Sequence, residues 1–429
     1  MAKYLIIGSS AGGIGAVEAI REVDPEGDLA LLSEEPYLAY SRPAIAEYLT
    51  GEKSQEKILF RPQDFYAHHR VEPILGRKAV RLDLGQRRVH LADGETLSWE
   101  KLLLATGGRP FLPKTEGLNL DREGVFTFTT LDEAKKIAAF LDRDTGSSRK
   151  AVVIGGGLIG ASVSAALMHR GVAVTMVEMK EEILNTILDE EGSTLAEEVF
   201  TRAGVQVLTA HTVARVQGRK DRAVSGVVLD DGRELPCALV VVAIGVVPRT
   251  ELVAGTQIAV NRGILVDRYL ETSVPGVYAC GDVAESFDFM WGTRRLNPIW
   301  PKAYREGWGA GLNMAGRKTE YEGTAAMNSL NYFGFPIAAA GMVAPEGDGY
   351  QVLAQRQGRT YRKLVFKDGS VVGLIFMGKV EGSGIIYGLM KDKVQVGDFK
   401  DALWQDDLGL IALPEELRRE RLARAGGKG

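Results

Sequence analysis

Apolar residues along this chain come in short dense runs, and most of the runs stop at a glycine. Tyr4-Leu5-Ile6-Ile7 ends at Gly8, followed by Gly12-Gly13 and a helix-like segment from Ile14 to Arg21. Much later the pattern returns. Ala151-Val152-Val153-Ile154 runs into Gly155-Gly156-Gly157-Leu158-Ile159-Gly160, and a helix-like segment follows from Ala161 to His169. Each copy continues into a second apolar run, Leu29 to Leu32 and Val172 to Val177, ending in acidic residues. Short apolar runs bounded by glycine read as buried strands. The pattern therefore predicts two strand–glycine turn–helix–strand units. Leu102-Leu103-Leu104 before Ala105-Thr106-Gly107, and Val240-Val241-Val242 before Ala243-Ile244-Gly245, share one further design: a buried strand ending in a small-residue turn. Val277-Tyr278-Ala279-Cys280 reads as a strand closing on Gly281-Asp282-Val283 at the start of a helix. Nearer the C-terminus the alternation of Tyr361 to Phe366 and of Val371 to Phe376, around Asp368-Gly369, predicts a hairpin. Glu415 to Arg424 reads as a charged, solvated helix.

Composition narrows the class. The chain has 429 residues, too many for one core, so two or three domains are expected. Its 51 glycines fall mostly at strand ends and turns, where nucleotide-binding loops need them. A formal net charge of -4 gives no reason to expect a nucleic acid or an anionic membrane as partner. No apolar run approaches the ~20 residues that span a bilayer. The N-terminus runs straight into a strand and leaves no room for a secretory signal. Two cysteines, Cys237 and Cys280, cannot build a disulfide framework or a four-thiolate metal site. The expectation is a soluble cytoplasmic protein. The five histidines show neither triad nor metal spacing, so neither an acid–base catalyst nor a metal centre is expected.

The second unit carries the more specific chemistry. Gly155, Gly157 and Gly160 fit G-x-G-x-x-G between strand and helix. The first permits the tight turn, the second lets the backbone approach a pyrophosphate, and the third lets helix pack on strand. Phosphate then sits at the helix N-terminus, beside Leu158 and Ile159. Glu178 ends the next strand, where a carboxylate accepts hydrogen bonds from both ribose hydroxyls and repels a 2′-phosphate, which favours NAD over NADP. In the first unit Gly8 and Gly13 are in place, but Ser10 holds the middle glycine position. Ser33 stands where an acid usually ends the strand, with Glu34 and Glu35 after it.

Together with Glu35-Pro36-Tyr37-Leu38-Ala39-Tyr40-Ser41-Arg42-Pro43, Ala105-Thr106-Gly107-Gly108-Arg109-Pro110, Ala243-Ile244-Gly245-Val246-Val247-Pro248, Ala279-Cys280-Gly281-Asp282 and Trp300-Pro301-Lys302-Ala303, these motifs resemble the FAD/NAD-linked reductases of the pyridine nucleotide-disulfide oxidoreductase superfamily. The likeness is to the branch without a redox disulfide: rubredoxin and ferredoxin reductases, and the flavin part of NADH-dependent nitrite reductase. The resemblance implies an α/β fold of two Rossmann-like domains and a smaller C-terminal α/β domain. An FAD domain (residues 1–117 and 246–321) would be interrupted by an NAD domain (118–245), with a C-terminal interface domain over 322–429. It implies FAD contacts by Gly8, Ser10, Ala11, Gly12 and Gly13 at the pyrophosphate and by Asp282 at the ribitol. Further cofactor contacts are implied for Glu34, Arg42, Pro43, Ala105, Thr106, Gly107, Arg109, Gly245, Gly281, Val283 and Lys302.

Departures from that family are informative. Pro43 occupies the position where disulfide-type relatives carry a redox cysteine, and this argues against peroxidase and coenzyme A-disulfide activity. Glu47 and Ser162 stand where many relatives hold a lysine and a glutamate, so that pair is expected to be missing. Cys280 reads as a packed small hydrophobe. The implied activity moves hydride between NADH and FAD, and electrons to a ferredoxin- or rubredoxin-like carrier or an iron–sulfur subunit. An NADH oxidase reducing oxygen directly, or a redox sensor holding FAD and NAD without turnover, are the alternatives. Two segments offer a carrier platform: Phe287 to Arg295, mixing aromatic with basic residues, and Tyr387 to Gln395. A homo-oligomer or a subunit of a larger complex fits the same reading.

Overall fold

The computed structural model describes residues 2–143, 149–218, 223–405 and 408–426. Contacts divide the chain into two compact units: residues 1–180 with 204–324, and residues 181–203 with 325–429.

Two sheets organise the first unit, each with a parallel core built on one of the glycine units, the first carrying the antiparallel strands Ala79–Asp83 and Arg88–Leu91 at one edge. In the first, β1 (Ala2–Ile7), β2 (Leu29–Ser33), β3 (Val71–Leu75) and β4 (Thr96–Leu104) stand in the order β3-β2-β1-β4. Ile6 pairs in parallel with both Leu31 and Leu103. The second sheet holds β5 (Val125–Thr127), β6 (Lys150–Ile154), β7 (Ala173–Val177), β8 (Gln206–Leu208) and β9 (Leu239–Val242), in the order β8-β7-β6-β9-β5. Val153 lies between Met176 and Val241. A later strand, β10 (Val277–Ala279), returns to the first sheet beside β4. Strands buried on both faces need continuous apolar sequence, and Leu5, Ile6, Leu31, Leu102 and Leu103 are buried, as are Val152, Val153, Val240 and Val241.

The copies match bond for bond. Gly8 N donates to Leu32 O and Gly155 N to Val177 O, both at 2.8 Å. Ala105 N donates to Ile7 O and Ala243 N to Ile154 O, again at 2.8 Å. The helices α1 (Ala11–Val23), α2 (Ile45–Thr50) and α3 (Leu158–His169) belong to this unit, and so does α4 (Trp300–Met314). α1 and α3 start three residues earlier than the apolar periodicity predicts, because the last residues of each glycine turn already form the first helical turn. One expectation is corrected. Gly281–Val283 is a single 3-10 turn that leads into the strand Ala284–Asp288 rather than a helix. That strand pairs antiparallel with Thr293–Arg295, and the pairing takes up backbone groups a helix would have used internally.

The second unit is a five-stranded antiparallel sheet with the helix Ser383–Lys391. Its predicted hairpin joins Thr360–Lys367 to Ser370–Met377 through Asp368-Gly369. Both turn residues have positive φ, 49° and 76°, as a two-residue hairpin turn of the I′ kind requires. The unit also holds the helix Glu190–Arg202, although residues 181–203 fall inside the range expected for the NAD domain. Asp189, which caps that helix, accepts from Tyr361 Oη at 2.7 Å and Lys363 Nζ at 2.6 Å. Arg356 reaches both Glu191 and Glu198. The charged helix near the C-terminus spans Glu415–Gly426. Among the described residues no helix is long and apolar enough to cross a membrane.

Candidate dinucleotide sites

The two glycine turns share one backbone path. Gly8 and Gly155 take φ of 121° and 109°, which only glycine adopts without strain. Ser10 (φ -86°, ψ -162°) and Gly157 (φ -76°, ψ -169°) both cap their helices in extended conformation with no side-chain capping bond. A methyl at Gly13 would overlap Gly8 O, and one at Gly160 would overlap Gly155 O, so these third glycines bring helix onto strand. Neither helix has an acidic residue in its first turn. With no side-chain cap, the positive end of each helix dipole therefore stands ready for an anion. Ala11 and Gly12 begin α1 and are buried, whereas Leu158 and Ile159 begin α3 and are partly exposed.

The surroundings of the turns differ. The first is closed from behind by α4. A methyl at Gly307 would overlap Gly12 O, and one at Gly12 would come within 2.7 Å of Cys280 Sγ. At Gly157, by contrast, a methyl would meet no protein atom within 4 Å, although its φ suits any residue. Neither conformation nor packing demands glycine there, which fits a position kept clear for a pyrophosphate. Glu178, at the end of β7, accepts from Gly156 N at 2.6 Å and Lys180 N at 2.9 Å, which ties its carboxylate to the turn.

Fit to FAD is tested by unsatisfied groups beyond the first turn. Asn297 Nδ2 and Trp300 Nε1 are buried and find no hydrogen-bond acceptor among the described residues, and Lys302 Nζ, buried close by, is met among them by Glu306 alone. A buried donor left without an acceptor costs about 1–3 kcal/mol, so this concentration calls for an acceptor-rich ligand. Asp282 is enclosed by protein yet keeps accessible surface, as a group lining a narrow cleft does. Burial pushes its carboxyl upward, while Lys302 and Arg42 pull the other way. Arg42 also keeps 37% of its side-chain surface open, and it is fixed by Glu35 and by Thr129 O at 2.9 Å. Pro43 follows it in a 3-10 turn. Gly281 turns at φ 76° in front of Ala303, and Val283 is buried behind it.

Other predicted positions serve the frame. Ala105 lies against Gly8, Thr106 Oγ1 donates to Arg249 O at 3.0 Å, and Gly107 O accepts from Arg249 N at 2.9 Å. Gly245 turns at φ 113° with open space where a side chain would stand. Glu34 is held between Lys78 and Arg249, each at 2.9 Å. The Arg109 guanidinium is turned to the surface, paired with Glu251 at 2.8 Å. Glu47 pairs with Lys53 at 2.6 Å, so the acid at this position brings its own cation from six residues along.

Two contributors escaped the sequence reading. Glu306, fully buried, accepts from Gly281 N at 2.7 Å and from Ser286 Oγ, and lies 2.7 Å from Lys302 Nζ. Its i,i+4 spacing from Lys302 is visible in the sequence, but its burial is not. Arg249 joins Glu34 to the Thr106–Gly108 turn from more than a hundred residues away. The fold also brings His211, Asp230 and Asp231 together, with Arg233 donating into the group.

Neither cysteine is available for thiol chemistry. Cys280 is fully buried and burial drives its pKa well up, while Cys237 is pushed up to about 12, mainly by burial. Thiolate, the reactive form, is therefore suppressed at both.

Comparison with known proteins agrees with this geometry. Residues 2–307 match the family model described as pyridine nucleotide-disulphide oxidoreductase, and residues 327–394 match the rubredoxin NAD+ reductase C-terminal domain. The chain is 32% identical over 394 residues to the NADH-dependent phenylglyoxylate dehydrogenase subunit epsilon of Aromatoleum evansii, covering 90% of this chain and 91% of that one. It is 30% identical to a rubredoxin-NAD(+) reductase of Pseudomonas putida, covering 69% of this chain and 75% of the other. Among solved structures, a ferredoxin reductase from Rhodopseudomonas palustris superposes with a TM-score of 0.79 at 26% identity, over 88% of this chain and 91% of its own. With paired glycine turns, proline at position 43 and both thiols buried, the chain belongs to the pyridine nucleotide-disulphide oxidoreductase family, in the branch of FAD- and NAD(P)H-dependent reductases that work without a redox disulfide.

Proposed function

We propose that this protein takes hydride from NADH at the Gly155–Gly160 turn onto FAD held at the Gly8–Gly13 turn, and passes the electrons to a one-electron protein carrier or an iron–sulfur partner subunit. In this reading residues 1–117 and 246–321 hold FAD, 118–245 hold NAD, 322–429 form an interface domain, and the protein works in the cytoplasm. When bound, FAD supplies the step from two-electron to one-electron chemistry. The chain's own residues supply alignment. The helix N-termini of α1 and α3 take the pyrophosphates, Glu178 takes the adenosine ribose of NADH, and Asp282 takes the ribitol.

The observation that carries the reading is the burial of both thiols together with Pro43. With no thiol relay, electrons leave the cofactor directly, which suits an external carrier. Relatives described as a rubredoxin-NAD(+) reductase and as a subunit of an NADH-dependent dehydrogenase support the same conclusion. The test is anaerobic reduction of the holoenzyme by NADH, followed by mixing with rubredoxin, ferredoxin or oxygen. Carrier reduction at least about tenfold faster than oxygen reduction supports the proposal. Oxygen as the fastest acceptor overturns it in favour of an oxidase.

A further inference from the structure

We infer that Lys302 sets how readily the bound FAD takes up electrons, acting as a buried counter-charge whose strength Glu306 trims. The inference rests on the FAD reading above and assigns this chain's own charges within it.

Lys302 and Glu306 are 1% and 0% exposed, on successive turns of α4. Their charged atoms approach to 2.7 Å, an ion pair through Glu306 Oε1, and among the described residues no other acceptor meets Lys302 Nζ. Glu306 is already committed, one oxygen to Gly281 N and the other to Ser286 Oγ. Glu306 Oε1 therefore offsets the ammonium and engages one of its three N–H groups, which leaves donors for a ligand. A buried ammonium whose donors stay free is costly unless a ligand uses them.

Position along α4 says which part of the ligand. Gly307 backs the pyrophosphate turn at Gly12. Lys302 lies five residues nearer the helix start, a rise of about 7.5 Å. Ala303 beside it touches Gly281, next to Asp282. Glu34, on the adenosine side of the turn, follows the other direction from β2. Lys302 thus lies on the Asp282 side of the pyrophosphate, toward the end that receives hydride. A hydride carries one proton and two electrons. Its transfer adds one unit of negative charge to the acceptor end and removes it from the nicotinamide end. A fixed cation in a water-poor setting favours that added charge.

The experiment is an equilibrium redox titration of purified holoenzyme against a reference dye, with Lys302→Met, Lys302→Arg and Glu306→Gln. FAD content is read independently from absorbance. Lys302→Met is expected to lower the reduced-to-oxidised ratio at a fixed dye potential by about tenfold or more. Lys302→Arg restores most of it, and Glu306→Gln raises the ratio. A potential unchanged in Lys302→Met with FAD bound overturns the inference, as does a shift of Glu306→Gln in the same direction as Lys302→Met. Should Lys302→Met fail to retain FAD, the sign of Glu306→Gln decides alone. Wild-type protein that binds no FAD would instead refute the underlying reading.

Discussion

Gly157→Ala separates binding from folding more cleanly than any other single change at these sites. At Gly157 the backbone is extended and suits alanine, and the added methyl meets no protein atom within 4 Å. Removing glycine's freedom from the unfolded chain should leave stability unchanged or raise it by about 0.4–1 kcal/mol. The methyl does intrude where the second glycine of such a turn admits a pyrophosphate. Forcing one extra methyl into a packed contact costs about 1–3 kcal/mol. NADH affinity should therefore fall roughly 5- to 150-fold. Gly160→Ala is the contrast, because its methyl overlaps Gly155 O and should destabilise the unit before coenzyme is added. The assay is stopped-flow bleaching of the flavin absorbance across NADH concentrations, beside thermal unfolding of each variant. The apparent Kd should rise in Gly157→Ala, with FAD content and melting temperature held. Wild-type NADH affinity in that variant would refute the claim that this glycine is kept for the coenzyme.

Asp282→Ala removes the acceptor proposed for the FAD ribitol. Hydrogen bonds to a charged group are worth about 1.5–3 kcal/mol, so FAD should bind roughly 10- to 150-fold more weakly, read from the yellow colour retained on gel filtration. Glu178→Ala should raise KM for NADH and leave that for NADPH equal or lower, and steady-state assays with both coenzymes measure it. Cys237→Ser with Cys280→Ala should keep NADH-to-flavin hydride transfer. In the wild type, alkylation by iodoacetamide at pH 8 should be slow, since raised pKa values keep both thiols protonated until pH climbs toward about 12 at Cys237. Arg294→Glu with Arg295→Glu should slow reduction of an acidic carrier several-fold at low salt and less at high salt, with flavin reduction by NADH unchanged. Both arginines are exposed on the second strand of the hairpin from Ala284 to Arg295, where Arg295 stacks 4.3 Å from Trp291, itself 50% exposed.

Local periodicity and turn chemistry are enough to read the central strands β1, β2, β4, β6, β7, β9 and β10 and the Asp368-Gly369 hairpin, because those signals lie within a few residues of the structure they specify, whereas the outer strands β3, β5 and β8 carry no such run. The helix expected after Gly281-Asp282 failed for the complementary reason. Ala284 to Asp288 is a strand because Thr293 to Arg295 returns to pair with it, a tertiary preference that propensity does not carry. Residues 181–203 join the second unit through partners such as Tyr361 and Lys363, some 170 residues away. Glu306 was overlooked because glutamate in a helix is ordinarily solvated. Only the glycine-lined approach of α4 to α1 takes it out of water, and that approach is not written in any one segment.

The repeated unit makes the division of labour intelligible. Both copies hold the same turn and the same two backbone bonds to neighbouring strands, and they differ in what stands around the turn. In the first copy the middle glycine is a serine, and glycines are spent on the helix–helix side. Gly12 and Gly15 of α1, with Gly307 and Gly311 of α4, admit backbone contacts that any methyl would block or crowd. Such close packing encloses the turn and favours a ligand that stays bound. The second copy leaves open space at Gly157 and commits its polar control to one carboxylate, Glu178, already oriented by Gly156 and Lys180. An open turn with a preset ribose acceptor favours a ligand that arrives and leaves each cycle. The proposed assignment of a prosthetic FAD to the first turn and an exchanging NADH to the second rests on this difference in where the glycines lie, with one turn motif serving both.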